Sequence, residues 1–187
     1  MSEAASPQPP SWVRPLRIVI FALVALLAAL LIWQAVGGDD EDADDGADGA
    51  ARVVSAGELA GIADEAEGPI YWAGERDGAA LEYSEVADRV YVRYLTGGAS
   101  AGDPGARFLT IATYPLPAPV AALRANARRT GNRLLRARGG ALAWVNPDRP
   151  QSVYLADPGA EHQVEVYDPD PARARATALS GEVVPAG

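Results

Sequence analysis

The stretch "AALEYSEVADRVYVRYL", residues 79–95, decides the fold. Two runs of alternating apolar and polar residues flank a polar turn, a period of two that suits strands and not helices. In the second run Val90, Val92 and Tyr94 share one face, while Tyr91, Arg93 and Leu95 share the other. Two such runs in succession read as an antiparallel pair. Arg93, set among aromatic residues, reads as a stacked guanidinium on a solvated face or as an anion-binding group.

Working outward, "PIYWAG" (69–74) is a short aromatic strand, and "ARFLTIATYPL" (106–116) is another, entered from the Gly-rich loop "GGASAGDPGA". "ALAWVNPDRPQSVYLADPGAEHQVEVYDPD" (141–170) supplies three more, separated by the turn chemistry of "NPDRP" and "DPG". A faint echo links residues 78–95 with residues 139–156, both running from Ala-Leu to an aromatic residue, and chance explains it as well as two related hairpins do.

Three helices interleave with these strands. Ser55 as N-cap, Glu58 as its capping-box partner and Val54 stapled on Leu59 start the first, whose inner face is Leu59, Ile62, Ala63 and Ala66. Pro119 opens and Gly131 stops the second, with Val120, Leu123 and Ala127 as its apolar stripe. Asp170 caps the third, with Pro171 at its first position and Gly181 at its end. The expectation is an α+β domain over residues 52–183: an antiparallel sheet of about six or seven short strands with two or three helices packed on it, and a tail at 184–187.

The first fifty residues have another character. Residues 18–36 carry no charge, enough for a helix across a bilayer, with Trp12 and Trp33 near its ends. Arg14 and Arg17 precede this run and seven acids follow it between 39 and 48. The positive-inside rule then gives a cytoplasmic head (1–14), a transmembrane helix (15–37), an acidic disordered tether (38–51) and an extracytoplasmic domain. Ala35-Val36-Gly37 leaves a cleaved signal peptide and a secreted domain as the alternative. Ala22, Ala25, Ala28 and Ala29 offer a small-residue surface for another membrane helix.

Net charge is −9, carried mostly by the tether, and the chain has no Cys and no Lys. Absent Cys excludes thiolate nucleophiles, disulfides and thiolate metal sites. His162 is the only histidine; in "DPGAEHQ" it reads as a surface residue in a turn, and a metal there would draw on Asp157, Glu161 and either Asp168 or Asp170 as well. No nucleophile elbow and no phosphate-cradling loop occurs. The calcium reading of the acid run lacks the Gly and terminal Glu of an EF-hand loop.

Two groups remain as candidate binding residues. Arg124, Arg128, Arg129, Arg133, Arg136 and Arg138 form a basic series suited to anions or lipid headgroups, to the chain's own acid run, or to nothing but solvent. Tyr71, Trp72, Tyr91, Tyr94, Trp144 and Tyr154, with Tyr83, Tyr114 and Tyr167, lie on or beside strands and suit either ligand stacking or packing.

The segments "PIYWAGERDG", "YVRYLTGG", "FLTIATYPL", "SVYLADPG" and "VEVYDPDPARA" together resemble uncharacterised single-pass membrane proteins of actinobacterial type, over approximately residues 53–183. The resemblance implies a recurring envelope module and brings no activity, cofactor or site residue. The functional expectation is a membrane-anchored, noncatalytic interaction or ligand-binding module of the bacterial cell envelope. It needs no cofactor. Its partners are the lipid bilayer and another envelope protein or anionic envelope component, and nucleic acid is disfavoured. A carboxylate-dependent envelope hydrolase and a structural subunit of a membrane complex are the alternatives.

Overall fold

A computed structural model of the chain describes residues 50–187. The expected cytoplasmic head, membrane helix and nearly all of the acidic tether lie outside the described residues. Among those described, no helix is long and apolar enough to cross a membrane.

The chain runs β1 (Arg52–Val54), α1 (Ala56–Glu65), β2 (Tyr71–Trp72), β3 (Ala80–Val86), β4 (Arg89–Leu95), β5 (Thr110–Pro115) and α2 (Pro119–Thr130). It continues through β6 (Leu135–Arg136), β7 (Leu142–Val145), β8 (Ser152–Ala156), β9 (His162–Tyr167), α3 (Pro171–Ser180) and β10 (Val184–Pro185). The class is α+β, as expected, but the main sheet has eight strands in the order β1-β3-β4-β5-β9-β8-β7-β6, all antiparallel. β2 and β10 form a separate two-stranded ribbon. The strand count exceeds the expectation because β1, β6 and β10 are only two or three residues long, too short to show a period in sequence, whereas β2 falls within the strand expected at 69–74. The expected tail at 184–187 is corrected too: Val184 and Pro185 pair with Trp72 and Tyr71, and the Ala186 amide donates to the Ile70 carbonyl at 2.8 Å.

β3 and β4 close through Ala87-Asp88, with Val86 opposite Arg89. Ala87 has φ +58° and Asp88 does not go positive, the pattern of a turn that favours glycine at its first position. The β3–β4 and β7–β8 hairpins hold matching places, second and third from opposite edges of the sheet. They are the two segments linked by the sequence echo.

Register assigns the faces. Tyr83, Val92, Ile111, Val166 and Val153 are successive cross-strand partners on one face, and Leu81 and Tyr94 are partners on the same side. This face is the main core. Leu59, Ile62 and Ala63 of α1, Ala174 and Ala178 of α3 and Ile70 beside the ribbon pack onto it. α1 begins as expected: Ser55 Oγ accepts from the Glu58 amide at 3.2 Å and the Glu58 carboxylate accepts from the Ser55 amide at 2.7 Å. Ala66, expected on the inner face, is instead the exposed C-cap.

On the opposite face α2 lays Leu123, Ala127 and Val120 against Trp144, Tyr154 and Ala156. α2 thus covers only the β7–β8 end. At the other end the loop 99–106 folds over β3 and β4: Arg93 Nη2 donates to the Asp103 carbonyl at 2.6 Å, and the Gly102 amide donates to Glu82 Oε2 at 2.7 Å. Among the described residues, no helix covers the middle of this face between α2 and the loop.

Candidate functional site

The uncovered middle is built by register. Ser84, Tyr91, Ala112, Glu165, Tyr154 and Trp144 are consecutive cross-strand partners and form one row across six strands. Tyr114 lies two residues beyond Ala112 on β5 and Tyr167 two residues beyond Glu165 on β9. Because β5 and β9 are antiparallel, these two rings fall on opposite sides of the row, and alternation returns both to the same face. Tyr91, Tyr114, Tyr154 and Tyr167 are all half-buried, as is Glu165. Ala112 is buried at their centre and contributes almost no side chain, so the large residues meet above it.

Glu165 dominates the electrostatics here. The Tyr114 hydroxyl approaches its Oε2 at 3.4 Å, a long contact. The Tyr114 phenol is held well above its ordinary range, by burial first and by the Glu165 charge second. The Tyr154 phenol is raised in the same order of causes, with Arg149 opposing. Tyr167 is raised by burial and donates its hydroxyl to the Ala106 carbonyl at 2.7 Å, which ties the covering loop to the rim. All three phenols therefore stay protonated near neutrality and serve as donors. The Arg89 guanidinium stands 6.0 Å from the Tyr114 ring centre.

Of the six aromatic residues singled out from sequence, only Tyr91 and Tyr154 meet on this open face. Trp144 reaches the same row but is sealed under α2. Tyr94 faces the main core, where its hydroxyl accepts from the Ala73 amide at 2.6 Å, and its role is packing. Tyr71 and Trp72 belong to the β2–β10 ribbon on the far side of the sheet. Tyr114 and Tyr167 complete the cluster; each appears in sequence only as an aromatic residue on a strand, and nothing short of the β5–β9 register brings them to Glu165.

The six arginines do not gather into one patch. Arg124, Arg128 and Arg129 are on α2, Arg133 is in the loop after it and Arg136 is on the edge strand β6. Arg138 instead lies against the end of α3, its amide donating to the Leu179 carbonyl at 3.2 Å. All six are exposed, and none pairs with an acid among the described residues.

Arg93 is not on a solvated face. Its Nη1 donates to Glu82 Oε1 at 2.7 Å, Glu82 is fully buried, and the guanidinium stacks 5.1 Å from the Phe108 ring centre. The pair and the loop carbonyls satisfy one another, leaving no free charge for an anion.

His162, expected in a surface turn, is the first residue of β9 and is half-buried against Tyr71, with Nε2 3.2 Å from the Tyr71 hydroxyl. Burial lowers its pKa, with Asp157 acting in the other sense. The two residues edge a cavity of about 20 Å³, room for one water. Among the described residues no group of three or more His, Cys, Asp or Glu is placed to hold a metal.

A broader cleft of about 520 Å³ opens beside Tyr94 and Phe108. Two of its three acids are neutralised: Glu182 pairs with Arg76 at 2.6 Å and Asp168 pairs with Arg173 at 2.9 Å, while Asp77, exposed at the rim, stands in no ion pair among the described residues. Carboxylates committed to arginines are poorly suited to general acid chemistry, which needs one of the pair to hold a proton near neutrality.

Comparison with protein-family models, with curated proteins and with solved structures returned no match.

Proposed function

We propose that this chain is a membrane-anchored, noncatalytic ligand-binding module of the bacterial cell envelope, and that its binding surface is the open sheet face around Glu165. The observation that carries this reading is the gathering of four half-buried tyrosines and one carboxylate on the stretch of that face that lies, among the described residues, between α2, which touches Tyr154, and the loop 99–106, whose Ala106 carbonyl accepts from Tyr167. A sheet face whose sole role was solubility would carry short polar or flexible charged side chains. Large rigid rings with hydroxyl handles lose little conformational entropy when they contact a ligand. The anchor at 15–37 and the acid run behind it support a position just outside the membrane.

Location and binding are tested separately. Because the chain has no Cys, Ala125→Cys on the exposed surface of α2 gives a single label site. A membrane-impermeant maleimide should label it in intact cells; labelling only after lysis would place the domain inside. For binding, a photo-crosslinking amino acid at position 91 should give a discrete adduct in cells, whereas the same group at position 125 should not. Equal adducts from both positions, or none from position 91, would remove the open face as the binding surface.

A further inference from the structure

We infer that the ring of tyrosines around Glu165 is a site for a primary alkylammonium group of the lysine type, carried by another molecule. This rests on the ligand-binding reading of the same face and names the chemistry of the ligand.

The first argument is the charge at the centre. Five carboxylates among the described residues stand in ion pairs: Glu82, Asp103, Asp168, Asp170 and Glu182. Glu165 is not among them, although it is half-buried in the middle of a sheet. A carboxylate has about four lone-pair sites, and the partners it has among the described residues are two neutral phenols, the long contact from Tyr114 and the hydroxyl of Tyr154, with no cation. A half-buried carboxylate gains most from a cation that brings several donors at once.

The second argument is the surrounding surface. Tyrosine rings attract cations through their faces, and Arg89 over Tyr114 already does this at the rim. Tyr154 lies directly opposite Glu165, while Tyr114 and Tyr167 flank it on either side. Raised phenols remain neutral, so they compete for no charge and leave the carboxylate as the only anion of the cluster.

The third argument selects among cations. A quaternary ammonium donates no hydrogen bond and would leave the carboxylate and phenol oxygens unserved. A guanidinium would pair with the carboxylate in one plane, but its planar fork would leave the phenol oxygens on either side of that plane unserved. A primary ammonium has three donors on a compact head, matching one carboxylate among phenol oxygens. The chain contains no lysine, so neither another segment of it nor a second copy presents this side chain. The occupant is a different molecule.

The test uses the full chain in mild detergent with ring-labelled tyrosine, observed by NMR. The probes are Nα-acetyl-lysine methylamide, its Nε-acetylated neutral form, tetramethylammonium and the neutral saccharide chitotriose. The lysine derivative should shift Tyr114, Tyr154 and Tyr167 saturably, and Nε-acetylation should weaken binding by roughly tenfold or more, the range expected when a hydrogen bond to a charged group is lost. Glu165→Gln should weaken it by a similar factor while leaving the melting temperature close to that of the parent. Tyr91→Ala, a second variant at a half-exposed position, should weaken it less. Equal shifts from the charged and acetylated forms, or undiminished binding by Glu165→Gln, would overturn the inference, as would tighter binding of tetramethylammonium. Saturable shifts from chitotriose alone would also overturn the cation assignment while leaving the ligand-binding face intact. If the photo-crosslinked adduct at position 91 is absent as well, both readings fall together.

Discussion

Replacing Arg93 by Met is the most demanding test of how the covering loop is held. The guanidinium makes three contacts within hydrogen-bonding range: to Glu82 Oε1 at 2.7 Å, to the Asp103 carbonyl at 2.6 Å and to the Gly105 carbonyl at 3.2 Å. Glu82 has no solvent exposure, and its other oxygen accepts from the Gly102 amide. Arg93→Met keeps the hydrocarbon stem but leaves a buried carboxylate with one amide partner and two loop carbonyls without donors. Breaking a buried ion pair from one side costs about 3–5 kcal/mol, because the surviving charge stays uncompensated. In a domain of this size that corresponds to a fall in melting temperature on the order of 10–20 °C. The pairing with Glu82→Gln isolates the coupling: in the double variant Glu82→Gln/Arg93→Met the uncompensated charge is gone, and about 2 kcal/mol of the loss should return. Thermal unfolding of the full chain in mild detergent, followed by near-ultraviolet circular dichroism, gives the stabilities. Trypsin cleavage after Arg107 reports the loop, and it should accelerate in Arg93→Met before global unfolding. A loss below about 1 kcal/mol with no change in cleavage would mean that the pair is effectively solvated, and the account of a loop held by charge would be wrong.

Further predictions concern the scaffold. Leu59 is fully buried between α1 and the sheet, so Leu59→Ala should cost about 2–5 kcal/mol in thermal or denaturant unfolding, and a loss under 1 kcal/mol would contradict its place in the core. Ala87→Gly should raise stability, by about 0.5–1 kcal/mol, because Ala87 holds φ +58° in the β3–β4 turn; a lower melting temperature would show the strain is not there. Tyr94 has its phenol raised to about 12, chiefly by burial, against 10 in the unfolded chain, and Tyr83 is also raised to about 12. A raised folded value favours the protonated phenol, so this contribution is whole below pH 10 and is lost as pH climbs from 10 through 12. Melting temperatures at pH 9, 10 and 11 should therefore fall, with phenolate absorbance appearing as unfolding proceeds; early, reversible ionisation of all the tyrosines without loss of structure would refute it.

The sequence carried the elements that depend on neighbours in the chain. The capping box at Ser55, the proline starts and glycine stops of α2 and α3, and the alternation around residue 87 are all local signals, and the structure has each of them. Tyr94 stands among the ligand-stacking candidates in sequence although its face is shared with Val90 and Val92, and its burial shows that this local signal outweighs the aromatic one. What was not readable depends on pairing between distant strands. Arg93 looks solvated until the loop 99–106 is seen folded back over it, and a loop's path leaves no period in sequence. Tyr91, Tyr114, Tyr154 and Tyr167 are spread over more than seventy positions and become one surface through the β4–β5, β5–β9 and β9–β8 registers. The basic series misled in the opposite way: residues close in sequence were carried to different sides by the β6–β7 turn, leaving Arg138 with α3.

The pairing of β5 with β9 also governs the order in which the domain can be made. Each half of the sheet grows from local hairpins, β3–β4–β5 on one side and β7–β8–β9 on the other, which close on microsecond scales. The seam between them joins Thr110 to Tyr167 and Pro115 to His162, contacts that span roughly fifty residues. As the chain emerges during synthesis, β5 must wait with its outer side unpaired until β9 arrives, an open strand edge of the kind that recruits other chains. α2 follows β5 directly, but the surface it packs on, Trp144, Tyr154 and Ala156, belongs to β7 and β8, so the helix too must wait for the second half of the sheet before it has anything to cover.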